Sequence, residues 1–540
     1  MSSGIIPESP VLKRLQDLAA TPKKGFQVNR RLRRWHQRQQ EKIRARLKEF
    51  EGGCSPRGDG KRPEFRRGQV QYDYSERVRA MPYGGLGMMH DLVHHIGLAQ
   101  AIDDNLNILK QNRPYFDSDH ILNLVYNALC GGRVLEDIET RRNDLVFLDA
   151  LGARAIPDPT TAGDFCRRFD SESVERMMDI INAVRVGVWK SQPAAFFEET
   201  ARIDADGTIV PTTGECKEGM DMSYKGDWGY HPLLISLANT GEPLFIKNRS
   251  GNRPSSEGAA EYFGRAITMC RGAGFKDILL RGDTDFSQTW CFDGWDDDHV
   301  RFVFGYAARS NLVREAGTLG KNDYSELVRK ADKLFDGIKP RAKPIRVKEQ
   351  IVQERGYKNI QLLQEDLAEF NYRPGKATRE YRMVVLRKTV LETDKQKGML
   401  DYRYFFYITN DFDMPIEQVV REANDRCNQE NLNEQLKNGP RAFRAPLGSL
   451  DANWAYMVIL SLAWSLKAWF ALSLPVSARW RDEHLADKQR VLRMDFRSFV
   501  QGFILFPVQV VRTARRLVYR LLAWRPEIPI VMRMADAMRG

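Results

Sequence analysis

The stretch Ala201-Arg-Ile-Asp204-Ala-Asp206-Gly207-Thr208-Ile209-Val210 decides how this 540-residue chain is read. Small and branched apolar residues alternate with acids as in an extended strand, where residues two apart share a face, so Asp204 and Asp206 project together. Burying two acids without partners is costly, so the pair marks a place where charge is used. The arrangement recurs at Asp277-Ile-Leu-Leu-Arg281-Gly282-Asp283-Thr284-Asp285-Phe286, where an apolar run again ends in two acids on one face. A third acidic cluster, Arg426-Cys-Asn-Gln-Glu430-Asn-Leu-Asn-Glu434-Gln-Leu-Lys437, follows the last strand-like run. On a helix, Arg426 lies about 40° and Lys437 about 20° from Glu430, so the three form one stripe.

Outward from these acids, short runs rich in Ile, Val, Leu and Phe predict strands at Ala201 to Val210, His231 to Ala238, Pro243 to Lys247, Asp277 to Leu280 and Val300 to Tyr306, with a helix from Gly258 to Arg271 before the fourth. Residues 313–400 turn highly charged yet keep strand-like runs such as Tyr381 to Val390, which predicts an insertion with its own small sheet. A further strand, Tyr402 to Thr409, and a helix from Pro415 to Lys437 ended by Asn438-Gly439 resume the core. Before the strands, residues 76–198 carry apolar spacings of three and four and read as a helical DNA-binding domain. Within it, Asp158-Pro159-Thr160-Thr161 starts a helix that could set Arg167 and Arg168 against DNA, ordinary surface arginines being the other reading. Six segments follow: a basic arm (1–75), the helical domain (76–198), a first core half (199–312), the β-rich insertion (313–400), a second core half (401–474) and a basic helical C-terminal region (475–540) carrying Arg512, Arg515, Arg516 and Arg520.

A chain of this length exceeds a single core, and roughly two to four domains are expected. With 42% hydrophobic and 29% charged residues, wholesale disorder, collagen-like repeats and a polytopic membrane protein are excluded. Lys and Arg total 83 against 71 acids, a net charge of +12 that favours a polyanionic partner. Much of that excess is in the arm, at Arg30, Arg31, Arg33 and Arg34 and again at Arg38 to Lys48, which reads either as a phosphate-neutralising segment or as a solvated tail. Seven scattered cysteines without a C-x-x-C pair argue against a disulfide framework and for a reducing cytoplasm. The first ten residues do not read as a signal peptide. The apolar run Trp454 to Leu474, interrupted by Ser461, Ser465 and Lys467, is expected to be a buried core helix rather than a membrane span.

Three carboxylates from two strands and a helix are what two-metal phosphoryl transfer requires, since paired Mg²⁺ ions about 4 Å apart need anionic oxygen ligands. One ion would activate the attacking hydroxyl and the other would stabilise the leaving oxygen, while Arg426 and Lys437 could hold phosphate oxygens. Spacing alone leaves a second reading open: surface acids at strand ends and an ordinary salt-bridge stripe.

The motifs resemble those of the DDE transposases of bacterial insertion sequences, in the branch with a Y-x2-R-x3-E-x6-K signature, and most closely insertion-sequence family 1380. Arg426-x3-Glu430-x6-Lys437 is similar to that signature, Asp206-Gly207-Thr208 to its D-[GS]-T motif, and Arg281-Gly282-Asp283 to its R-[AG]-D motif. Tyr224-Lys-Gly-Asp-Trp-Gly229-Tyr230-His231-Pro232-Leu233 and Ser250-Gly251-Asn252 look similar too, and the resemblance covers roughly residues 85–470. It departs at Ala423, where the signature has tyrosine. The resemblance implies a ribonuclease-H-like α/β core with a β-rich insertion between the second Asp and the Glu. It implies that Asp206, Asp283 and Glu430 are the catalytic acids and the ligands of two Mg²⁺ ions, which Mn²⁺ can replace, with Asp204 and Asp285 as supporting neighbours. It further implies double-stranded DNA partners, namely terminal inverted repeats and a target joined to the freed 3′-hydroxyl, and a homodimer holding two ends together. An aromatic residue that captures a flipped base is common in relatives, and the sequence assigns none here.

Three rival readings remain. His90-Asp91-Leu92-Val93-His94 spaces two histidines like the zinc motif H-E-x-x-H but carries Asp for Glu. Gly317-Thr-Leu-Gly320-Lys321 is a partial phosphate loop with Glu315 where its first glycine belongs. A transposon-derived protein that binds DNA without cutting it is the third.

Overall fold

The computed structural model describes residues 78–111, 114–214, 216–223, 225–327, 360–392, 399–513 and 517–539, with a few helical residues between 34 and 45. Arg30, Arg31 and Arg33 lie outside the described residues; Arg34 is exposed on the short helical piece.

The helical domain begins with α1 (Leu86–His95), α2 (Leu98–Asn105), α3 (Asp117–Leu129), α4 (Pro159–Cys166) and α5 (Ser171–Lys190). The start of α4 is as expected: the Asp158 side chain accepts from the Thr161 backbone N–H and Pro159 occupies the first helical turn. The helix is shorter than the arginine reading requires. Arg167 caps its C-terminal end, where it pairs with Asp164, and Arg168 follows it, so both are exposed at the end of the helix and not along it.

Nine strands form one mixed sheet: β1 (Ala201–Gly207), β2 (Leu233–Leu237), β3 (Glu242–Lys247), β4 (Ile278–Gly282), β5 (Arg301–Tyr306), β6 (Ser325–Glu326), β7 (Ile360–Tyr372), β8 (Tyr381–Glu392) and β9 (Met399–Thr409). Across the sheet the order is β6-β7-β8-β9-β5-β4-β1-β2-β3. In its core, β1, β2 and β3 run antiparallel in succession, while β4 and β5 run parallel to β1. The long strands correct the expectation of a separate insertion sheet. Phe406 to Thr409 of β9 pair with Tyr306 to Val303 of β5, so the inserted hairpin continues the central sheet. The unpaired edge of β5 offered backbone donors and acceptors that only another strand could satisfy in register.

One face of the sheet packs on α6 (Ala259–Ala273) and, through β3, on α5. The other carries Leu279, Val303, Leu367, Val384 and Leu386 under Val419 and Val420 of α7 (Ile416–Asp425). The helix expected from Pro415 to Lys437 is two helices, α7 and α8 (Cys427–Asn438), broken at Arg426, where Gln429 N–H bonds the Arg426 carbonyl at 2.8 Å. The break lets α7 lie on the inserted strands while α8 turns onto β1. It also confines the continuous stripe to Glu430 and Lys437, with Arg426 at the hinge.

Helix α9 (Leu450–Leu472) is buried over its whole apolar length by α3, α5, α10 (Arg481–Arg493) and β3, as a core helix should be. Lys467 within it bonds the Met494 carbonyl at 2.5 Å and lies over the Trp464 ring, and burial pulls its pKa down to about 7. The C-terminal region departs from an all-helical reading: Val508–Arg512 and Leu517–Leu521 form a hairpin that pairs with Ala80–Met81 before α11 (Ile528–Arg539). Alternation decides it, since Val508 and Val510 are buried on one face while Gln509 and Val511 on the other are only half-buried. Arg515 and Arg516 lie outside the described residues.

The sheet and α7 are joined by a buried ion network. Arg281 of β4, 2% exposed, holds Asp204 of β1 with two bonds of 2.7 and 2.9 Å and Glu422 of α7 with one of 2.8 Å. Arg202 of β1 clasps the same Glu422 at 2.9 Å. Burial alone would raise Glu422, but the two guanidiniums outweigh it and hold its carboxyl low. Removing the shared cation strands the buried Asp204 and leaves Glu422 with Arg202 alone, so Arg281→Met should cost about 3–5 kcal/mol in chemical denaturation. A loss under about 1 kcal/mol, the range of exposed pairs, would show that the network does not tie these elements.

Candidate active site

The parallel register of β1 and β4 pairs Ala201 with Ile278 and Asp204 with Arg281, and continued by two residues it sets Asp206 opposite Asp283. Asp283 keeps extended backbone, φ −77° and ψ −170°, just past the strand end, so the register carries on. Adjacent strands lie about 4.8 Å apart, close enough for side chains on one face to share a ligand. The Asp283 carboxylate is fixed by the Asp285 backbone N–H at 2.9 Å, and Asp206 accepts from its neighbour Gly207 N–H at 2.9 Å. A methyl group on Gly207 would meet His231 Nε2 at 2.7 Å, so glycine leaves room for that imidazole on the strand face opposite the Asp206 side chain.

The third side of the site is α8. Its Asn433 donates to Asp206 Oδ2 at 2.8 Å, and Gln429 bonds Ser236 and the Leu234 carbonyl of β2, which docks the helix over the end of β1. Glu430 is exposed one turn before Asn433, and its charge reaches Asp206. Glu434 instead accepts from Asn438 and acts on Lys437, so of the two helix acids Glu430 is the one whose charge acts on Asp206. Lys437 is partly buried, which lowers its pKa against the pull of Glu434 and Asp206. Arg426, at the hinge, has Nη1 3.8 Å from Asp283 Oδ2 and is the strongest positive influence on both aspartates.

Burial pushes Asp206 up to about 6, with Asp283 and Glu430 raising it and Arg426 lowering it. Asp283 is raised for the same first reason, with Arg426 again opposing. Two carboxyls that resist ionising beside each other, with a guanidinium partly neutralising them, have the chemistry of a cation site. Among the described residues no three His, Cys, Asp or Glu side chains sit close enough to hold one metal ion, so the fit rests on the aspartate pair, with Glu430 near it but apart.

Beside Asp283 opens a cleft of about 420 Å³, lined by Tyr306, Tyr404, Phe405, Tyr407, Ala423 and Arg426. Ala423, the departure from the tyrosine signature, thus contributes open space at the wall of the site. Sequence reading missed Asn433, Arg202 and Glu422; Asn433 lies three residues after Glu430, the spacing of one helix face, and that was its signal. The rival motifs come apart. His90 bonds Tyr126 at 2.9 Å and is lowered to about 4 by burial, and no third ligand joins it among the described residues. Gly317 lies inside the helix Ser310–Thr318, where no phosphate loop can form.

An α/β chain with acids at the ends of adjacent parallel strands accords with the family comparison, in which the model for transposase DDE domain group 1 matches residues 79–537. The chain belongs to that family. Among solved structures it is similar to the piggyBac transposase in a cryo-EM structure of a synaptic complex with hairpin DNA, with 11% identity, a TM-score of 0.36, and 78% of this chain and 81% of that one covered. No curated protein gave a significant match.

Because the folded Asp206 holds its proton to about pH 6 against an ordinary 3.8, its favourable contribution is complete below the ordinary value and is lost as pH rises through about 6. A divalent cation held by this pair would bind its ionised form, so any rise in melting temperature caused by Mg²⁺ should grow as pH passes about 6. Asp206→Asn should flatten it. A wild-type Mg²⁺ response of constant size from acid to neutral pH would contradict this.

Proposed function

We propose that this chain binds the terminal inverted repeats of a transposon, cleaves the DNA by divalent-metal phosphoryl transfer, and joins the freed 3′-hydroxyl ends to a target. The observation that carries the reading is the in-register pair Asp206 and Asp283, both made reluctant to ionise, with Arg426 and Lys437 beside them. The core strand order β3-β2-β1-β4-β5, three antiparallel strands followed by two parallel to the first, supports a ribonuclease-H-like core. The insertion-sequence branch rests on the same motifs as before, with Ala423 as its exception.

Asp206 and Asp283 would hold Mg²⁺, with Glu430 near them but apart as the structure stands, and the metal would supply polarisation of a phosphate and activation of the attacking hydroxyl. Lys437 and Arg426 would bind nonreacting phosphate oxygens, and Arg426 would trade its contact with Asp283 for one with DNA. Asn433 holds the Asp206 carboxylate in a fixed rotation. A homodimer would present two such sites to two ends, and the cytoplasm, on the nucleoid, is where it would work. The basic arm would add nonspecific phosphate contacts.

Purified protein, Mg²⁺ and the DNA that flanks its own coding region test the reading. Asp206→Ala, Asp283→Ala and Glu430→Ala should each abolish nicking and leave end binding intact, while Lys437→Ala should slow it by roughly 10-fold, the cost of one charged phosphate contact. Normal nicking by any acid variant would remove that acid from the site, and tight end binding with no metal-dependent nicking by the wild type would favour a protein that binds without cutting. Deleting residues 1–75 should flatten the salt dependence of DNA binding, and an unchanged slope would take that arm off the DNA.

A further inference from the structure

Beyond the end of α8 the chain enters a loop, residues 439–449, that carries Arg441 and Arg444. The loop is anchored from within. Ala442, Phe443, Ala445 and Leu447 are buried, and the buried Asn453 of α9 bonds both the N–H and the carbonyl of Leu447, at 3.0 and 2.9 Å. The Lys217 ammonium donates to the Ala445 carbonyl as well. On this frame Arg441 has φ 61°, the left-handed region that residues other than glycine enter at a cost. Its guanidinium donates to the Arg133 carbonyl at 3.3 Å, which brings it against the turn Cys130-Gly131-Gly132-Arg133 after α3. The two segments also meet over Gly163 of α4, where an added methyl group would lie 3.7 Å from Leu135 Cδ1 and 3.8 Å from Leu447 Cδ2. Arg133, Arg441 and Arg444 thus share one rim, where the helical domain adjoins the strand-bearing core.

Positive charge on this rim is left unmatched. Arg133 and Arg444 are exposed, Arg441 is half-buried, and among the described residues none of the three forms an ion pair. The nearby acid, Asp137, has Oδ2 engaged by the backbone N–H groups of Arg133 at 2.6 Å and Val134 at 3.1 Å. Burial, then the charges of Arg444 and Arg133, lower the pKa of Arg441, so the cations press on one another. Guanidiniums gathered by an anchored, strained loop without a carboxylate of their own suit an anion that arrives from outside. The place of the rim indicates which anion. Asn433, which bonds Asp206, and Lys437 precede the loop on α8, and the helix from Asn433 to Asn438 advances about 7.5 Å. Phosphates of one strand of a DNA duplex advance about 3.4 Å per nucleotide, so the rim stands a few phosphates from the acids.

We propose that Arg133, Arg441 and Arg444 form a phosphate-binding site for duplex DNA outside the acid site, gripping the backbone a few nucleotides from the phosphate that is cut. Guanidinium forks hold phosphate oxygens through paired bonds, and contacts of this kind set register and orientation without reading sequence. Because the site draws on both the helical domain and the core, one stretch of duplex is held against the two at once. The inference rests on the DNA-cutting reading of the acids, and binding and cutting are read out separately.

The test uses the full chain without metal and a fluorescently labelled duplex of the DNA that flanks its own coding region. Arg441→Gly suits the left-handed backbone, so it should melt no lower than wild type while binding the duplex roughly 10-fold more weakly, the loss of one charge-assisted contact. Arg133→Gln and Arg444→Gln, both at exposed positions, should weaken binding by roughly 3- to 10-fold each. Each of the three should reduce the slope of log affinity against log salt by about 1. With Mg²⁺ added, the same variants should raise the duplex concentration needed for half-maximal nicking and leave the rate at saturation unchanged. Unchanged affinity and salt slope in all three overturn the proposal. Weaker binding of tripolyphosphate with unchanged duplex binding overturns it in favour of a small-anion site, and altered sedimentation with unchanged duplex binding does so in favour of a contact between copies. Arginine-dependent duplex binding by a chain that never nicks DNA would support the rim while refuting the metal-dependent reading. Metal-dependent nicking with duplex binding indifferent to all three arginines would do the reverse, so the two fail separately.

Discussion

The Arg281 guanidinium, shared between Asp204 and Glu422 in the interior, is the constraint on which the rest depends. Its two bonds to Asp204 fix β4 against β1 in one register, and its third bond pins α7 across them. A slip of one residue would turn every side chain of a strand to the opposite face. With the register held at Asp204 and Arg281, the next residues on that face are Asp206 and Asp283, and the charge of Asp283 acts on Asp206. The arginine that precedes the second acid is thus an architectural cation, and the acid after it inherits its position.

Around that pair the charges are set against one another. Burial and mutual repulsion raise both aspartates, Arg426 lowers both, and Lys437 is itself depressed by burial. Half-buried charges of both signs held this close are costly, because each is stripped of water and only partly compensated by its neighbours. The break between α7 and α8 puts Arg426 within 3.8 Å of Asp283, at the joint of the two helices.

Much of the core was legible because its signals are local. Period-two runs located the strands of the central sheet, and the acids at their ends marked β1 and β4. What could not be read was nonlocal. The pairing of β9 with β5, which merges the inserted hairpin into the sheet, depends on strands nearly a hundred residues apart in sequence. The hinge at Arg426 was hidden because Cys427 to Asn438 and Ile416 to Asp425 each have helical composition, and only their different docking surfaces separate them. In the C-terminal region, arginine content suggested a helix where the alternation of Val508 and Val510 specified a hairpin. At the site, Glu422 and Asn433 carried no motif of their own; their meaning comes from partners more than 100 residues away.

A sheet without a seam has a mechanical consequence. The strands of the inserted hairpin and those bearing the aspartates share one ladder of backbone bonds, so there is no joint between them about which the far end could swing. The hairpin is a bracket and not a lid: whatever lies along it is held at a set distance from the acids.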